Sequence, residues 1–419
     1  MPLKLRQIVL ISFLMALIFF GAEKTGHAQE RLQVRGYGNA HFMDHAGTPN
    51  VMDDPNTPEV EKNKSLDDGF FELREFSLFF DFLITDEIIA STEIEAADNG
   101  NTYTANYAYV DIQAAENVNI RVGKILVPFL WYNENKPSFK QNLMSQPFTA
   151  FNIAPVIGAP FVNNGFGWSD AGAVLNLCCL GANIGFLDLK LAMINGLGSN
   201  TDVLDDNTVQ LDAGAGVSVR PRDGLIQNEA STKLRDNNNN KALVGKLTFK
   251  AADLPFDMGI SWYQGKWDKA SSKNLRMAGA HLNWLGETWT LKGEYVKAQV
   301  EQDAGPDATV AINTATGDYT MQAWYVEGSV IPARYKNDKY LRLIIRYDDV
   351  DTNDKVAFTP WDRSRITAGM EWQFAHNTRF RYEWQRHEID DFENAPSPYK
   401  NAGGEERIKM HMVSLIFSF

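Results

Sequence analysis

The chain has 419 residues and a formal net charge of −13, which argues against nucleic acid as a partner. Its mean hydropathy is −0.30, yet 12% of its residues are aromatic. This combination is typical of strands whose side chains alternate between lipid and water. After the amino-terminal region, no segment is apolar enough over a sufficient length to predict a transmembrane helix.

The amino-terminal residues have the pattern of a secretory signal. Lys4 and Arg6 precede an apolar run from Ile8 to Phe20, and the small residues that a signal peptidase reads end at Ala28. The run is about thirteen residues long, whereas a membrane-spanning helix needs about twenty. We therefore predict a signal peptide at residues 1–28 and a single domain at 29–419, with a membrane anchor helix as the alternative.

The rest of the chain alternates between apolar and polar side chains in short segments. In residues 377–389, Phe380 and Trp384 fall on one face and Arg379 and Arg381 on the other. A soluble β-sandwich also alternates, but here short connections alternate with long polar ones, as in outer-membrane barrels. These features predict an all-β fold, a transmembrane antiparallel β-barrel with a water-filled lumen.

Sixteen strands are predicted, an even number that returns the chain to the side where it starts. Residues 209–220 alternate weakly and are placed in a large extracellular loop at 196–241; if they form a hairpin across the membrane, the count becomes eighteen. The predicted strands are residues 31–42, 70–84, 87–96, 103–115, 118–128, 169–179, 182–195, 242–252, 256–266, 275–285, 288–299, 320–332, 339–350, 363–375, 377–389 and 406–419.

A long apolar connection follows the fifth strand. Gly123, Pro128 and Phe129 mark its start, and residues 129–168 are rich in proline, asparagine and aromatic side chains. The apolar side chains of this segment must be shielded from water. We therefore predict that this third extracellular loop folds into the barrel and narrows the channel. The alternative is an exposed loop that packs against a neighbouring protomer.

The last strand is apolar on one face, where Val413, Leu415, Phe417 and Phe419 fall. An exposed apolar edge would be sticky, whereas a strand that closes a barrel leaves no edge. A terminal phenylalanine on such a strand also resembles the closing strand of Gram-negative outer-membrane proteins. This predicts a location in the outer membrane of a Gram-negative bacterium, with the lipid of that membrane as a partner.

Charged side chains on the inward faces are the candidate site. Bases on one wall favour anions, whereas bases facing acids give a transverse field suited to general diffusion, and both alternatives stay open. The pore-lining basic candidates are Arg121, Lys246, Lys250, Lys292, Arg342, Arg346, Arg365, Arg379 and Arg381. The pore-lining acidic candidates are Glu75, Asp81, Glu93, Glu95, Asp111, Glu371 and Glu383.

Catalytic and cofactor signals are weak. Cys178 and Cys179 are neighbours, which on a regular strand point to opposite faces, and a bond between them would need a strained local ring. We interpret them as two small apolar side chains, with a redox role as the alternative. The chain has no haem or zinc motif and no serine–histidine arrangement. The acidic stretches 203–212 and 348–354 do not have the spacing of an EF-hand and are interpreted as solvated charge. We predict no enzyme activity, no metal and no cofactor.

Residues 66–130 resemble a known family. Asp68-Gly69-Phe70-Phe71-Glu72-Leu73-Arg74-Glu75, then Glu93-Ile94-Glu95, Asn106 to Asp111, and Arg121-Val122-Gly123-Lys124 to Pro128-Phe129 occur in the order of the phosphate-selective porin O/P family. The resemblance implies a sixteen-stranded homotrimeric porin whose third loop enters the pore. The chain departs from the family at Glu75, where a second basic residue is usual, and a complete arginine ladder cannot be mapped onto it.

Two functions follow from these features. The first is a porin for passive diffusion of small hydrophilic solutes, with a preference for anions such as phosphate given by the basic strip of Arg342, Arg346, Arg365, Arg379 and Arg381. The second is a non-conducting barrel that acts as a scaffold, an adhesin or a sheath around a partner protein.

Overall fold

The computed structural model describes residues 31–46, 70–97, 102–149, 168–199, 225–226, 240–267, 270–301, 318–335, 339–351, 354, 362–390, 393 and 407–419. Within these residues, sixteen strands form one closed antiparallel barrel, as predicted. The strands are β1 (Leu32–Ala46), β2 (Phe70–Leu83), β3 (Ile88–Ala97), β4 (Thr102–Ala115), β5 (Val118–Leu126), β6 (Ser169–Ala182), β7 (Gly185–Ile194), β10 (Ala242–Ala251), β11 (Phe256–Lys266), β12 (Asn274–Leu285), β13 (Trp289–Val300), β14 (Tyr319–Arg334), β15 (Tyr340–Asp351), β16 (Arg363–Ala375), β17 (Thr378–Ile389) and β18 (Arg407–Ser418), with β8 (Gly198–Ser199) and β9 (Leu225–Ile226) paired outside the barrel.

Each barrel strand pairs with its neighbours in the chain, with two exceptions: β7 pairs with β10, because β8 and β9 stand apart, and β1 pairs with β18. The predictions of an extra strand at 209–220 and of a signal at 1–28 fall outside the described residues. Among the described residues, no helix is both long and apolar enough to cross a membrane.

The first and last strands close the barrel. The backbone N–H of Gly36 donates to the carbonyl oxygen of Phe419 at 3.0 Å, and the N–H of Phe419 donates back at 2.9 Å. The Phe419 ring lies over Gly36, where a Cβ would come within 2.5 Å of it, so a larger residue there would displace the ring. Closure leaves β1 and β18 without a free edge, and the predicted role of the last strand is confirmed.

Polar side chains face the inside of the barrel and apolar ones face the outside. In β13, Thr290, Lys292 and Glu294 are buried on the inner face, whereas Trp289 and Leu291 are exposed on the outer face. A soluble protein buries its apolar face, so this reversed pattern is that of a barrel surrounded by lipid. Trp289 also stacks on Trp284 across the β12–β13 turn, with ring centroids 5.1 Å apart, as in an interfacial aromatic girdle.

One strand breaks the alternation. In β6, Leu177 pairs with Leu189 and Leu180 pairs with Leu187, so Cys178 and Cys179 together oppose the single residue Asp188. This is a β-bulge, which inserts one extra residue into a strand. The two sulfur atoms lie 3.0 Å apart, so the prediction that these side chains point to opposite faces is wrong.

Candidate functional site

The chain turns inward at the end of β5. Gly123 has φ +138° and a Cβ there would lie 2.4 Å from the carbonyl oxygen of Ala108, so the position requires glycine. Pro128 and Phe129 follow, and both are buried. Residues 127–149, named here the constriction segment, then contact inward side chains on several strands, which agrees with the predicted inward fold of the third loop.

Both ends of the predicted loop meet at its root. The side-chain amide of Asn133 donates to the carbonyl oxygens of Val127 and Trp168 at 2.8 and 2.9 Å, and its oxygen accepts the N–H of Trp168 at 2.7 Å. The Val127 N–H also donates to the Trp168 oxygen at 3.0 Å. These bonds satisfy buried backbone groups and fix the stem of the loop.

An apolar cluster surrounds this root. Phe129 packs against Trp168 with ring centroids 5.8 Å apart, and Trp168 packs against Tyr263 of β11 at 5.5 Å. Inward apolar residues at the ends of β12, β13 and β14 complete the cluster, including Val296 and Ala298. The barrel wall thus shields the apolar side chains of the segment from water.

A carboxylate on β13 holds both ends of the constriction segment. Glu294 Oε1 accepts the N–H groups of Trp131 and Tyr132, each at 2.8 Å, at the start of a short 3-10 helix (Tyr132–Asn135). Its Oε2 accepts the Thr149 hydroxyl at 2.8 Å. Glu294 was not among the predicted site residues. Its position on the polar face of a predicted strand was the sequence feature that could have identified it.

A second carboxylate lies within the segment itself. Glu134 forms ion pairs with Lys190 of β7 and with Lys246 of β10, the latter at 2.7 Å. Burial alone would raise the pKa of Glu134, but the two lysines outweigh burial and hold the pKa well below its usual range. Lys246 also donates to the Leu130 carbonyl at 2.5 Å, so this predicted basic residue binds the segment.

Arginines of β15 and β16 bind the middle of the segment. Arg346 donates to the Ser145 carbonyl at 2.8 Å and to its hydroxyl at 2.6 Å. Arg365 donates to the Gln146 carbonyl at 2.6 Å. Both guanidinium groups also bind Asp348, at 2.9 and 3.0 Å. They face inward as predicted, but the segment and Asp348 cover them.

The arginines of β17 bind the segment in the same way. Arg381 donates to the Ser138 carbonyl at 3.0 Å and pairs with Glu371 at 2.6 Å, and Arg379 donates to the Phe139 carbonyl at 2.7 Å. Glu383 is the matching acceptor, which takes the Met144 N–H at 2.8 Å.

Two more predicted bases on this side have partners. Arg342 donates to the side-chain oxygen of Asn142. Lys292 pairs with Glu327 at 3.4 Å, and Glu327 also accepts the Asn142 amide at 2.8 Å. The covered wall, defined as β13 to β17 with these contacts, therefore binds the segment along most of its described length.

The tip of the segment contacts β2, three strands round the barrel from β17. Ser138 donates to Glu75 of β2, whose other oxygen accepts the Tyr37 hydroxyl at 3.1 Å. The Phe139 ring packs on Tyr37 with centroids 5.1 Å apart. Nearby Glu93 and Glu95 are almost fully buried, so these predicted acidic residues are set back from the water.

Other inward charges on β1 to β10 stay in contact with water, and these form the open wall. In four of their five described ion pairs the base is more exposed than its acid, whereas in Lys246–Glu134 the base is the less exposed group, at 6% against 18%. The side-chain exposures are 64% and 25% for Arg35–Asp81, 32% and 19% for Arg121–Asp111, 28% and 18% for Lys190–Glu134, and 53% and 18% for Lys250–Asp188.

Aromatic rings order one of these pairs. Arg121 binds Asp111 through two bonds of 2.7 and 2.8 Å and lies over the Tyr109 ring at 3.9 Å. Tyr109 stacks on Tyr107 with centroids 5.1 Å apart. This arrangement presents the guanidinium group in a fixed position beside the lumen.

No protein-family model matches the sequence, and no curated protein matches it. Solved structures do match, over 93% of this chain. They include an anion-selective porin from Comamonas acidovorans (11% identity, 99% of that chain, TM-score 0.53), the outer membrane channel DcaP of Acinetobacter baumannii (12%, 97%, 0.56) and Salmonella typhi OmpF in complex with daunomycin (12%, 97%, 0.53). At these identities the likeness establishes the fold alone: the chain has the closed sixteen-stranded barrel of outer-membrane porins.

Proposed function

We propose that this chain is a porin of the Gram-negative outer membrane, which lets small hydrophilic solutes diffuse through its lumen with a preference for anions. The barrel with its apolar outer face and polar inner face supports the location in a membrane. The observation that carries the anion preference is the greater exposure of the base in four of the five described ion pairs of the open wall.

The physical reason is distance. An ion pair has no net charge, but a solute in the lumen interacts most strongly with the charge that lies nearer to the water. Salt at about 0.1 M screens charges beyond roughly 10 Å, so groups behind the constriction segment contribute less than those on its surface. Arg35, Arg121 and Lys250 therefore meet a passing ion before Asp81, Asp111 and Asp188 do.

Phosphate as the particular anion and a homotrimer as the assembly are implied by the resemblance of residues 66–130, and both belong to this proposal. Exposed guanidinium groups such as that of Arg35 suit phosphate or carboxylate oxygens.

The test is a planar-bilayer recording of the purified protein. We expect ohmic pores, with a reversal potential in a salt gradient that shows anion preference. Replacing Arg35 and Arg121 with alanine removes two exposed bases and leaves two acids, so the anion-to-cation permeability ratio is expected to fall by roughly two-fold or more. Currents in chloride, phosphate and an organic cation then rank the solutes.

Arg407→Ala is the matched control, because Arg407 is an exposed base paired with Glu388 at 2.8 Å on the outer face. This variant is expected to keep the permeability ratio of the parent protein. A ratio that is equally unchanged in the Arg35 and Arg121 variant would refute the anion preference. The absence of ohmic pores would refute the transport proposal as a whole.

One observation favours the second function. Most described residues of the constriction segment are buried, and its contacts reach from Lys190 of β7 to Arg381 of β17, which lie half-way round the barrel from each other. A barrel filled in this way also suits a non-conducting scaffold, adhesin or sheath for a partner protein. Purified protein that folds but never conducts would support this alternative.

A further inference from the structure

The bulge in β6 places two thiols side by side. In a regular strand, neighbouring side chains point to opposite faces, which would separate the sulfur atoms. Here Cys178 and Cys179 share the counterpart Asp188, and their sulfur atoms are 3.0 Å apart without a bond between them. They are also the only cysteines of the chain, so neither has another thiol partner within the protein.

The backbone holds this arrangement without help from the sulfur atoms. Cys179 has φ +59°, a left-handed conformation that is uncommon for residues other than glycine. Its N–H donates to Asp188 Oδ1 at 3.1 Å, and the N–H of Cys178 donates to the Asn117 carbonyl at 3.0 Å. Asp188 is itself fixed by Lys250 at 2.8 Å. The bulge therefore holds the two thiols close together in the reduced state that the structure shows.

The pair is open to reagents in solution. Cys179 is exposed and Cys178 is partly exposed. Both lie at the short-turn end of the barrel, since Asn117 belongs to the β4–β5 turn and Ala182 ends β6 just before the turn to β7. Under the proposed function, which this step rests on, the short turns face the periplasm. That compartment is oxidising and lets disulfides persist.

We propose that Cys178 and Cys179 are a reversible oxidation site, which closes into a disulfide between adjacent residues when it meets a disulfide-bearing oxidant. One thiolate attacks a sulfur of the oxidant, forms a mixed disulfide and releases the first oxidant thiol. The second thiolate then displaces the other oxidant thiol and closes the ring. Two protein thiols are oxidised, one oxidant disulfide is reduced to two thiols, and the two protons pass to the released thiolates.

The ring is also expected to open readily. Adjacent Cα atoms are about 3.8 Å apart across a peptide bond. Ordinary disulfides join Cα atoms that are roughly 4.4 to 6.8 Å apart, and departures from this range make the bond easier to reduce. Exposed, strained disulfides are the labile ones. The site therefore takes small-molecule or protein dithiols and disulfides as its reagents.

The test uses the folded barrel in detergent. The protein is treated with oxidised glutathione, free thiols are blocked with iodoacetamide, and the intact mass is measured. We expect a monomer that lacks two hydrogen atoms and carries no label, and mild reduction with dithiothreitol is expected to restore two labelled thiols. Two labels after oxidation, stable glutathione adducts, or only disulfide-linked dimers would overturn the proposal.

The matched control keeps two cysteines but separates them. Asn176→Cys combined with Cys178→Ser leaves the thiols three positions apart, one before the bulge and one within it, and no internal disulfide is expected. Heat-dependent gel migration checks that each variant is folded. Since the mass measurement needs no conductance, failure of the pore recording leaves this result standing, and failure of the ring leaves the pore recording standing.

Discussion

The covered wall and the open wall carry the same kinds of charged side chain but use them differently. On the covered wall, Arg346 and Arg381 donate to backbone carbonyls of the constriction segment and are almost fully buried. On the open wall, Arg35 and Arg121 pair with carboxylates and remain in contact with water. A basic side chain that points into the barrel is therefore not always part of the permeation path, because it can instead bind a loop that folds into the lumen.

Removing a base from the covered wall is the strongest test of this difference between the two walls. Arg346→Ala removes one of the two buried bases beside Asp348 and one of the two beside Glu327, leaving Arg365 and Lys292, and it removes donors to Ser145. Breaking a buried ion pair on one side costs about 3 to 5 kcal/mol. Because Arg365 and Lys292 remain as counter-charges, we expect a loss near the lower end of that range in urea unfolding, together with a larger and noisier single-channel current as the segment loosens.

Arg407→Ala again provides the comparison, because its exposed pair with Glu388 is expected to contribute no more than about 1 kcal/mol. Equal stability and equal current in the two variants would mean that the covered arginines do not hold the segment.

The next largest effect is expected at Glu294, which binds both ends of the segment. Glu294→Ala leaves the N–H groups of Trp131 and Tyr132 without an acceptor, at a cost of about 1 to 3 kcal/mol for each buried group. Glu294→Gln keeps one acceptor oxygen and is expected to lose less. Limited proteolysis within residues 127–149 measures the release of the segment. Identical cleavage of the two variants and the parent would contradict the role of Glu294.

The smallest expected effect is a change in how stability depends on pH, and it tests the ion pairs by which Glu134 attaches the constriction segment to the barrel. Lys190 and Lys246 hold the pKa of Glu134 below its usual range, so Glu134 takes up its proton less readily in the folded protein than in the unfolded one. Its stabilising contribution is therefore complete above the unfolded pKa of about 4.3 and is lost as the pH falls below that value.

We expect the difference in melting temperature between the parent and Glu134→Gln to be constant from neutral to mildly acidic pH. It should shrink below the unfolded pKa of about 4. A difference that grows on acidification would show that the lysines do not govern this group.

The strand count was predictable because alternation is a local property of period two. Ile408 to Phe419 illustrate this, since the outward Leu415 and the buried Ile416 follow from position alone. The path of the constriction segment was not predictable, because the contact of Arg346 with Ser145 joins residues 201 positions apart. Nothing in the neighbours of Arg346 distinguishes it from the exposed Arg35.

The bulge in β6 had a signal that alternation counting overlooked. Leu177 and Leu180 are both apolar and three positions apart, which a regular strand cannot place on one face. An extra residue between them restores the outward direction of both leucines, and that residue brings the two cysteines together.

The stem bonds of Asn133 concentrate the attachment of two strands on one side chain. Asn133 joins Val127, just after β5, directly to Trp168, just before β6. A substitution at this single position would therefore release the exit of one strand and the entry of the next at the same time.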